Sequence, residues 1–89
     1  MKDFRFEFSP NAERAFAHFD KGFQNRVLDK LEFFEKSGDP LRLAKKLKGL
    51  DNIYRFRMGD YRILVQPKEN GNWVVLVILK IGHRRAVYE

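Results

Sequence analysis

Three arginines within eight residues, Arg55, Arg57 and Arg62, are the first feature with chemical reach. They lie in residues 54–66, where apolar and polar side chains alternate on both sides of Gly59-Asp60. Alternation is the period of a β-strand. Glycine at the first central position of a two-residue loop suits a type II′ hairpin. That loop sets Met58 opposite Tyr61, Arg57 opposite Arg62 and Phe56 opposite Ile63. One face then carries Tyr54, Phe56, Met58, Tyr61, Ile63 and Val65; the other carries Arg55, Arg57, Arg62, Leu64 and Gln66. Like charges directly opposed destabilise a strand pair, and an anion between them offsets that cost. The guanidinium fork gives phosphate bidentate bonds, stays charged and stacks on bases. A solvated face of flexible side chains is the plainer account; it explains one arginine more readily than three.

A second constellation closes the chain: Lys80, His83, Arg84, Arg85 and Tyr88 fall within nine residues. His83 is the side chain there that exchanges a proton near neutral pH. Tyr88 can serve as an acid or stack on a base. Each also has a purely structural account, a solvated loop histidine and a core-anchored tyrosine. Lys45, Lys46 and Lys48 form either a patch that steers a phosphate backbone or a solvated connector. His18 falls off the apolar stripe of its helix and is assigned no role.

These residues need elements to hold them. Phe4, Phe6 and Phe8 alternate with Asp3, Arg5 and Glu7, predicting a strand over residues 3–8 with one buried face. Ser9 caps a helix with Pro10 at its first position and Ala12, Ala15, Phe16 and Phe19 as its apolar stripe. Asp20-Lys21-Gly22 breaks it. A second helix runs from about Phe23 to Lys36 with Val27, Leu28, Leu31 and Phe34 inward, and Ser37-Gly38-Asp39-Pro40 stops it. Residues 41–50 are a lysine-rich connector with a helical turn around 43–46. Strands follow at 53–58 and 61–66, then a loose turn over 67–72 and a strand over 73–79, apolar on both faces and therefore central. Gly82 ends that strand, and residues 84–88 are candidates for a short last one. The expected fold is α+β: an N-terminal strand, a two-helix antiparallel hairpin, then a three- to four-stranded, mostly antiparallel sheet.

Composition bounds the rest. Eighty-nine residues fit a single domain, 1–89, with one modest core and no deep enclosed pocket. Hydrophobic content of 44% with nine phenylalanines excludes a disordered basic tail. With no cysteine and two histidines, disulfides, thiolate sites and a closed zinc site are excluded, and no metal or other cofactor is expected. No apolar run has signal-peptide or membrane-spanning character, predicting a soluble, cytoplasmic protein. The net charge of +6 is uneven: residues 1–39 hold seven basic and eight acidic side chains, residues 40–89 eleven and four. A +7 half beside a −1 half fits a polyanion-binding face.

The run Leu47-Lys-Gly-Leu50, the hairpin Tyr54-Arg-Phe-Arg-Met-Gly-Asp-Tyr-Arg62, and Ile81-Gly-His-Arg84 followed by Val87-Tyr88 together resemble the RelE/ParE toxin superfamily, the RelE branch above all. The resemblance covers essentially the whole chain. It implies a type II toxin: a metal-independent endoribonuclease that cuts mRNA in the ribosomal A site by 2′-OH attack on the adjacent phosphate. The implied partners are the ribosome, mRNA and an acidic, RelB-like antitoxin. By position, Arg55 and Arg57 match two basic residues of the active face, Arg62 the arginine of a Tyr-Arg motif, Arg84 the basic residue after the last long strand, and Tyr88 the C-terminal tyrosine. Lys45, Lys46, Lys48, Lys80 and Arg85 are the RNA-binding candidates.

Two departures qualify the resemblance. Some relatives carry lysine at the Arg55 or Arg57 position, and an arginine there cannot act as a base because its pKa exceeds about 12. That leaves His83 for proton transfer, with Tyr88 supporting as acid or stacking partner. Some relatives also extend beyond the position of Tyr88. The same superfamily includes ParE-type inhibitors of DNA gyrase, which share the fold but generally lack the basic face with its tyrosine. A degenerate toxin acting only as an antitoxin-bound co-repressor is a third alternative.

Overall fold

The computed structural model describes residues 3–83 together with Arg85. The chain starts as strand β1 (Asp3–Phe8), whose Phe4, Phe6 and Phe8 are half-buried while Asp3, Arg5 and Glu7 are exposed. Ser9 then caps helix α1 (Pro10–Ala17), its Oγ accepting the Ala12 N–H at 3.2 Å. Helix α2 (Lys21–Glu35) starts two residues earlier than the sequence predicts. Asp20-Lys21-Gly22 is not a break before it. Asp20 is its N-cap, with Oδ1 accepting from Phe23 N at 2.9 Å, and Lys21 and Gly22 belong to its first turn.

The apolar stripes are narrower than expected. Val27, Leu31 and Phe34 are buried, but Leu28 is 47% exposed, and Ala15 of α1 also faces solvent. In the connector, a 3₁₀ turn spans Pro40–Leu43, and Lys45–Lys46 form a two-residue strand, β2, in place of the expected helical turn.

Strands β3 (Tyr54–Met58), β4 (Tyr61–Asn70) and β5 (Trp73–His83) complete a five-stranded sheet of order β1-β5-β4-β3-β2. β1 runs parallel to β5 and the remaining pairs are antiparallel. β5 lies inside the sheet between β1 and β4, as its two apolar faces predict. β4 continues through Pro67, so the loose turn expected over 67–72 contracts to Gly71-Asn72. Proline is tolerated because the β3 ladder stops at Val65, and Asn52 Nδ2 reaches the Pro67 carbonyl at 3.0 Å from that side. β5 also runs past Gly82 to His83. Of the expected last strand, 84–88, only Arg85 is described, and its backbone is helical.

The core lies between the helices and one face of the sheet. Phe56, Ile63, Val65, Leu76, Ile78 and Val27 are inaccessible to solvent. Two runs of rings tie the layers together. Phe6, Phe34 and Phe56 meet at centroid distances of 6.4, 5.4 and 4.5 Å. Phe8, Phe16, Phe19, Phe23 and Tyr61 link β1 through both helices to β4, each step between 4.6 and 6.2 Å. Among the described residues, no helix is long and apolar enough to cross a membrane.

Candidate nucleic-acid interface

Opposed residues of an antiparallel pair point to the same side of a sheet. The register therefore states which side chains share the face away from the helices. Arg57 pairs with Arg62, and Arg62 with Gly82. One row over, Lys45 pairs with Arg55, Arg55 with Leu64, and Leu64 with Lys80. At about 4.8 Å per strand, the second row spans roughly 14 Å. Lys68, opposite Val75, extends the face further along β4. The outward positions of β2 to β5 thus carry Lys45, Arg55, Arg57, Arg62, Lys68 and Lys80, and no carboxylate.

The two rows differ in how their cations are held. Arg57 and Lys80 are exposed and Arg55 is half-buried. Arg62, expected on an open face, is only 7% exposed. Its Nη1 donates to the Gly59 and Tyr61 carbonyls, each at 3.0 Å. The hairpin turn makes this possible: Gly59 adopts φ 58° while Asp60 stays out of the positive-φ region, as a type II′ loop requires. A buried guanidinium on two main-chain oxygens fixes the turn and presents a positive potential beside the exposed Arg57.

Other predicted site residues are dispersed. Lys46 points to the helix side opposite Tyr54, its ammonium 6.0 Å from that ring. Lys48 is exposed in the loop after β2. Arg85 is exposed, and its backbone N–H donates to His83 Nδ1 at 3.3 Å. His83 pairs with Tyr61, which puts its ring on the helix side of the sheet, edge-on to Tyr61 at 5.6 Å. His83 thus lies on the face opposite the arginines. Arg84 and Tyr88 lie outside the described residues.

Lys68 and Arg5 were missed by sequence reasoning. Lys68 sat in what looked like a turn, although continuing the alternation from Arg62 through Pro67 would have placed it on the arginine face. Arg5 lies at the far margin of that face, its guanidinium 5.4 Å from the Trp73 ring and ion-paired with Glu7 at 2.8 Å.

Residues 6–88 match the family model described as the ParE toxin of the type II toxin–antitoxin system parDE. The chain belongs to this ParE toxin family. Solved structures of RelE toxins share its fold. The chain superimposes on the RelBE2 toxin–antitoxin complex of Mycobacterium tuberculosis with a TM-score of 0.74 at 24% identity, covering 92% of this chain and 99% of the other. An arginine-to-alanine mutant of the E. coli RelE toxin in the free state gives 0.71 at 22%, covering 98% and 88%. The RelB–RelE antitoxin–toxin complex of Methanococcus jannaschii gives 0.62 at 25%, covering 91% and 93%. A curated relative, Toxin RelE3 of Methanocaldococcus jannaschii, is 38% identical over 45 residues, 51% of this chain. That match spans 47%, about half, of the relative's own length. The α+β order read from the sequence is thus that of RelE-type toxins, with a fifth strand added by β2.

Proposed function

We propose that this ParE-family chain acts as a ribosome-dependent mRNA endoribonuclease held inactive by an acidic antitoxin. The observation that carries the reading is the carboxylate-free cationic face of β2 to β5, with Arg57 directly opposite Arg62. A phosphodiester seated there offsets the repulsion of the pair. The 2′-OH loses its proton to a base and its oxygen bonds to phosphorus. The P–O5′ bond breaks, leaving a 2′,3′-cyclic phosphate, and the 5′ oxygen takes a proton. Charge on the pentacoordinate phosphorus is stabilised by Arg57 and Arg55, with Arg62 holding the turn beside them. Arg84 and Tyr88 join this set as the superfamily pattern implies.

His83 is the proton-transfer candidate at the end of β5, and that role requires its ring to leave the Tyr61 contact on the helix side. His83→Ala is expected to lower the cleavage rate at least tenfold, within the general acid–base range of about 10²–10⁴, while ribosome affinity holds. An unchanged rate would confine the ring to packing. Binding to single-stranded RNA should weaken with salt. Four neutralised phosphates give a slope of log K against log salt of roughly −3, and a flat response would remove the face from nucleic-acid contact.

Gyrase inhibition is the competing reading, supported by the family match to ParE toxins. Induction followed by mapping of mRNA 5′ ends separates the two. New 5′-OH ends that vanish in Arg57→Ala support the ribonuclease; growth arrest with intact mRNA and loss of DNA supercoiling supports the gyrase reading.

A further inference from the structure

The outward face of the sheet continues past its arginines along β4 and β5. Beyond Lys80, the outward positions of β5 are Val77, Val75 and Trp73, and those of β4 run from Leu64 through Gln66 and Lys68 to Asn70. Trp73 opens β5 at the end of the sheet farthest from the Arg57–Arg62 pair. Nine residues separate it from Gly82, which faces Arg62, a span of roughly 30 Å at about 3.3 Å per residue. It is the chain's single tryptophan. Its side chain stands 41% exposed, on a strand whose other apolar residues are all buried or half-buried. Arg5 of β1 and Lys68 of β4 both pair with Val75, one row in from Trp73. Val75 is buried, so longer side chains form the surface there. The Arg5 guanidinium lies over the Trp73 ring, 5.4 Å from its centroid, and is held by Glu7 at 2.8 Å. Lys68 is exposed.

We propose that Trp73 is a stacking platform for a base of single-stranded RNA, with Lys68 holding a phosphate beside that base. The inference rests on the nucleic-acid reading of the arginine face and adds a second point of grip at its far end. Single strands are held by a cationic track along the backbone and by aromatic rings on which bases stack, with arginine adding cation–π attraction. Trp73, Lys68 and Arg5 supply these three parts in two adjacent rows of the sheet. Charge also sets the path. Asp3 and Glu7 are exposed on β1 and repel a phosphate backbone from that margin. The outward positions of β4 and β5 carry no carboxylate, so the backbone follows β4 past Lys68. The base itself is uncharged and meets the ring without opposing Asp3 or Glu7. An acidic peptide brings its carboxylates to the same margin and has no planar group to stack. A duplex fits poorly, because its bases are already stacked on one another.

The test uses the fluorescence of Trp73, which no second tryptophan obscures. The whole chain is titrated with a 2′-O-methyl dodecaadenylate, whose methylated 2′ oxygens cannot attack phosphorus, and separately with hexaglutamate. A dye on the oligonucleotide reports binding by anisotropy, independently of the tryptophan signal. The oligonucleotide is expected to quench the emission and hexaglutamate to leave it unchanged. Trp73→Ala should weaken oligonucleotide binding at least fivefold, the low end for one stacked base, and Trp73→Phe, which keeps a ring, should recover most of that loss. Lys68→Ala should make the salt slope shallower by about one phosphate contact. The quench is read on the unaltered chain, so it stands whatever the variants do to folding. Binding without a quench, equal quenching by hexaglutamate, or full affinity in Trp73→Ala would overturn the platform. Cleavage of ribosome-bound mRNA is measured separately. Cleavage with full affinity in Trp73→Ala sinks the platform alone; a quench without cleavage sinks the ribonuclease reading and keeps the platform; no binding at all overturns the platform and the RNA-binding face together.

Discussion

Phe56→Ala is expected to destabilise the chain by about 3–5 kcal/mol, the range for emptying a buried aromatic site. Phe56 has no solvent exposure, and its ring packs against Phe6 from β1 and Phe34 from α2 at 5.4 and 4.5 Å. Removing it opens a cavity where the first strand, the long helix and the hairpin meet. A domain of this size is stable by only about 5–15 kcal/mol, so one substitution takes a large share of the total. The same change at Phe33, 58% exposed, is expected to stay within about 0.5 kcal/mol, as for surface sites generally. Urea unfolding of the two variants side by side checks both values. Equal losses would mean that the ring cluster is not the core.

Arg62→Ala and Arg57→Ala are expected to part company in the same way, although the residues face each other on one strand pair. Arg62 is buried and donates twice to the turn carbonyls. Hydrogen bonds to a charged group contribute about 1.5–3 kcal/mol each, and carbonyls left unsatisfied add to the loss. Context reduces such sums, so a net cost of about 2–4 kcal/mol is expected for Arg62→Ala. Arg57 is exposed, and its removal also relieves the like-charge pairing. Arg57→Ala should therefore leave stability unchanged, or raise it by up to about 0.5 kcal/mol, while weakening RNA binding and cleavage. Thermal unfolding combined with an RNA-binding isotherm separates the two. If Arg62→Ala loses RNA binding with full stability, the guanidinium acts on the ligand directly and its anchoring of the turn is secondary.

The hairpin shows why some of the site was legible. A two-residue loop permits a single register, and period-two alternation then assigns every side chain from Tyr54 to Val65 to a face. The observed pairs Met58–Tyr61, Arg57–Arg62 and Phe56–Ile63 are those the sequence dictates. Pro67 shows the opposite case. Read alone it ends a strand, and only the absence of a β3 neighbour on its nitrogen side lets β4 continue. That extension is what carries Lys68 onto the cationic face. His83 was grouped with the arginines by nearness in sequence. Once β5 runs through Gly82, alternation sends its ring to the other side, beside Tyr61.

By itself the sequence determined the α+β order, the hairpin register, the capping residue Ser9, and the concentration of positive charge in the second half. All of these follow from local rules: side-chain period, turn stereochemistry and the orphan N–H groups at a helix start. The tertiary structure alone decided that Arg62 is buried on main-chain oxygens, that His83 faces the helices, that β1 lies parallel beside β5, and that Phe33 stands exposed between Lys30 and the hairpin tip. Each of these depends on which distant element arrives next to the residue, and a side chain's own period carries no information about that neighbour.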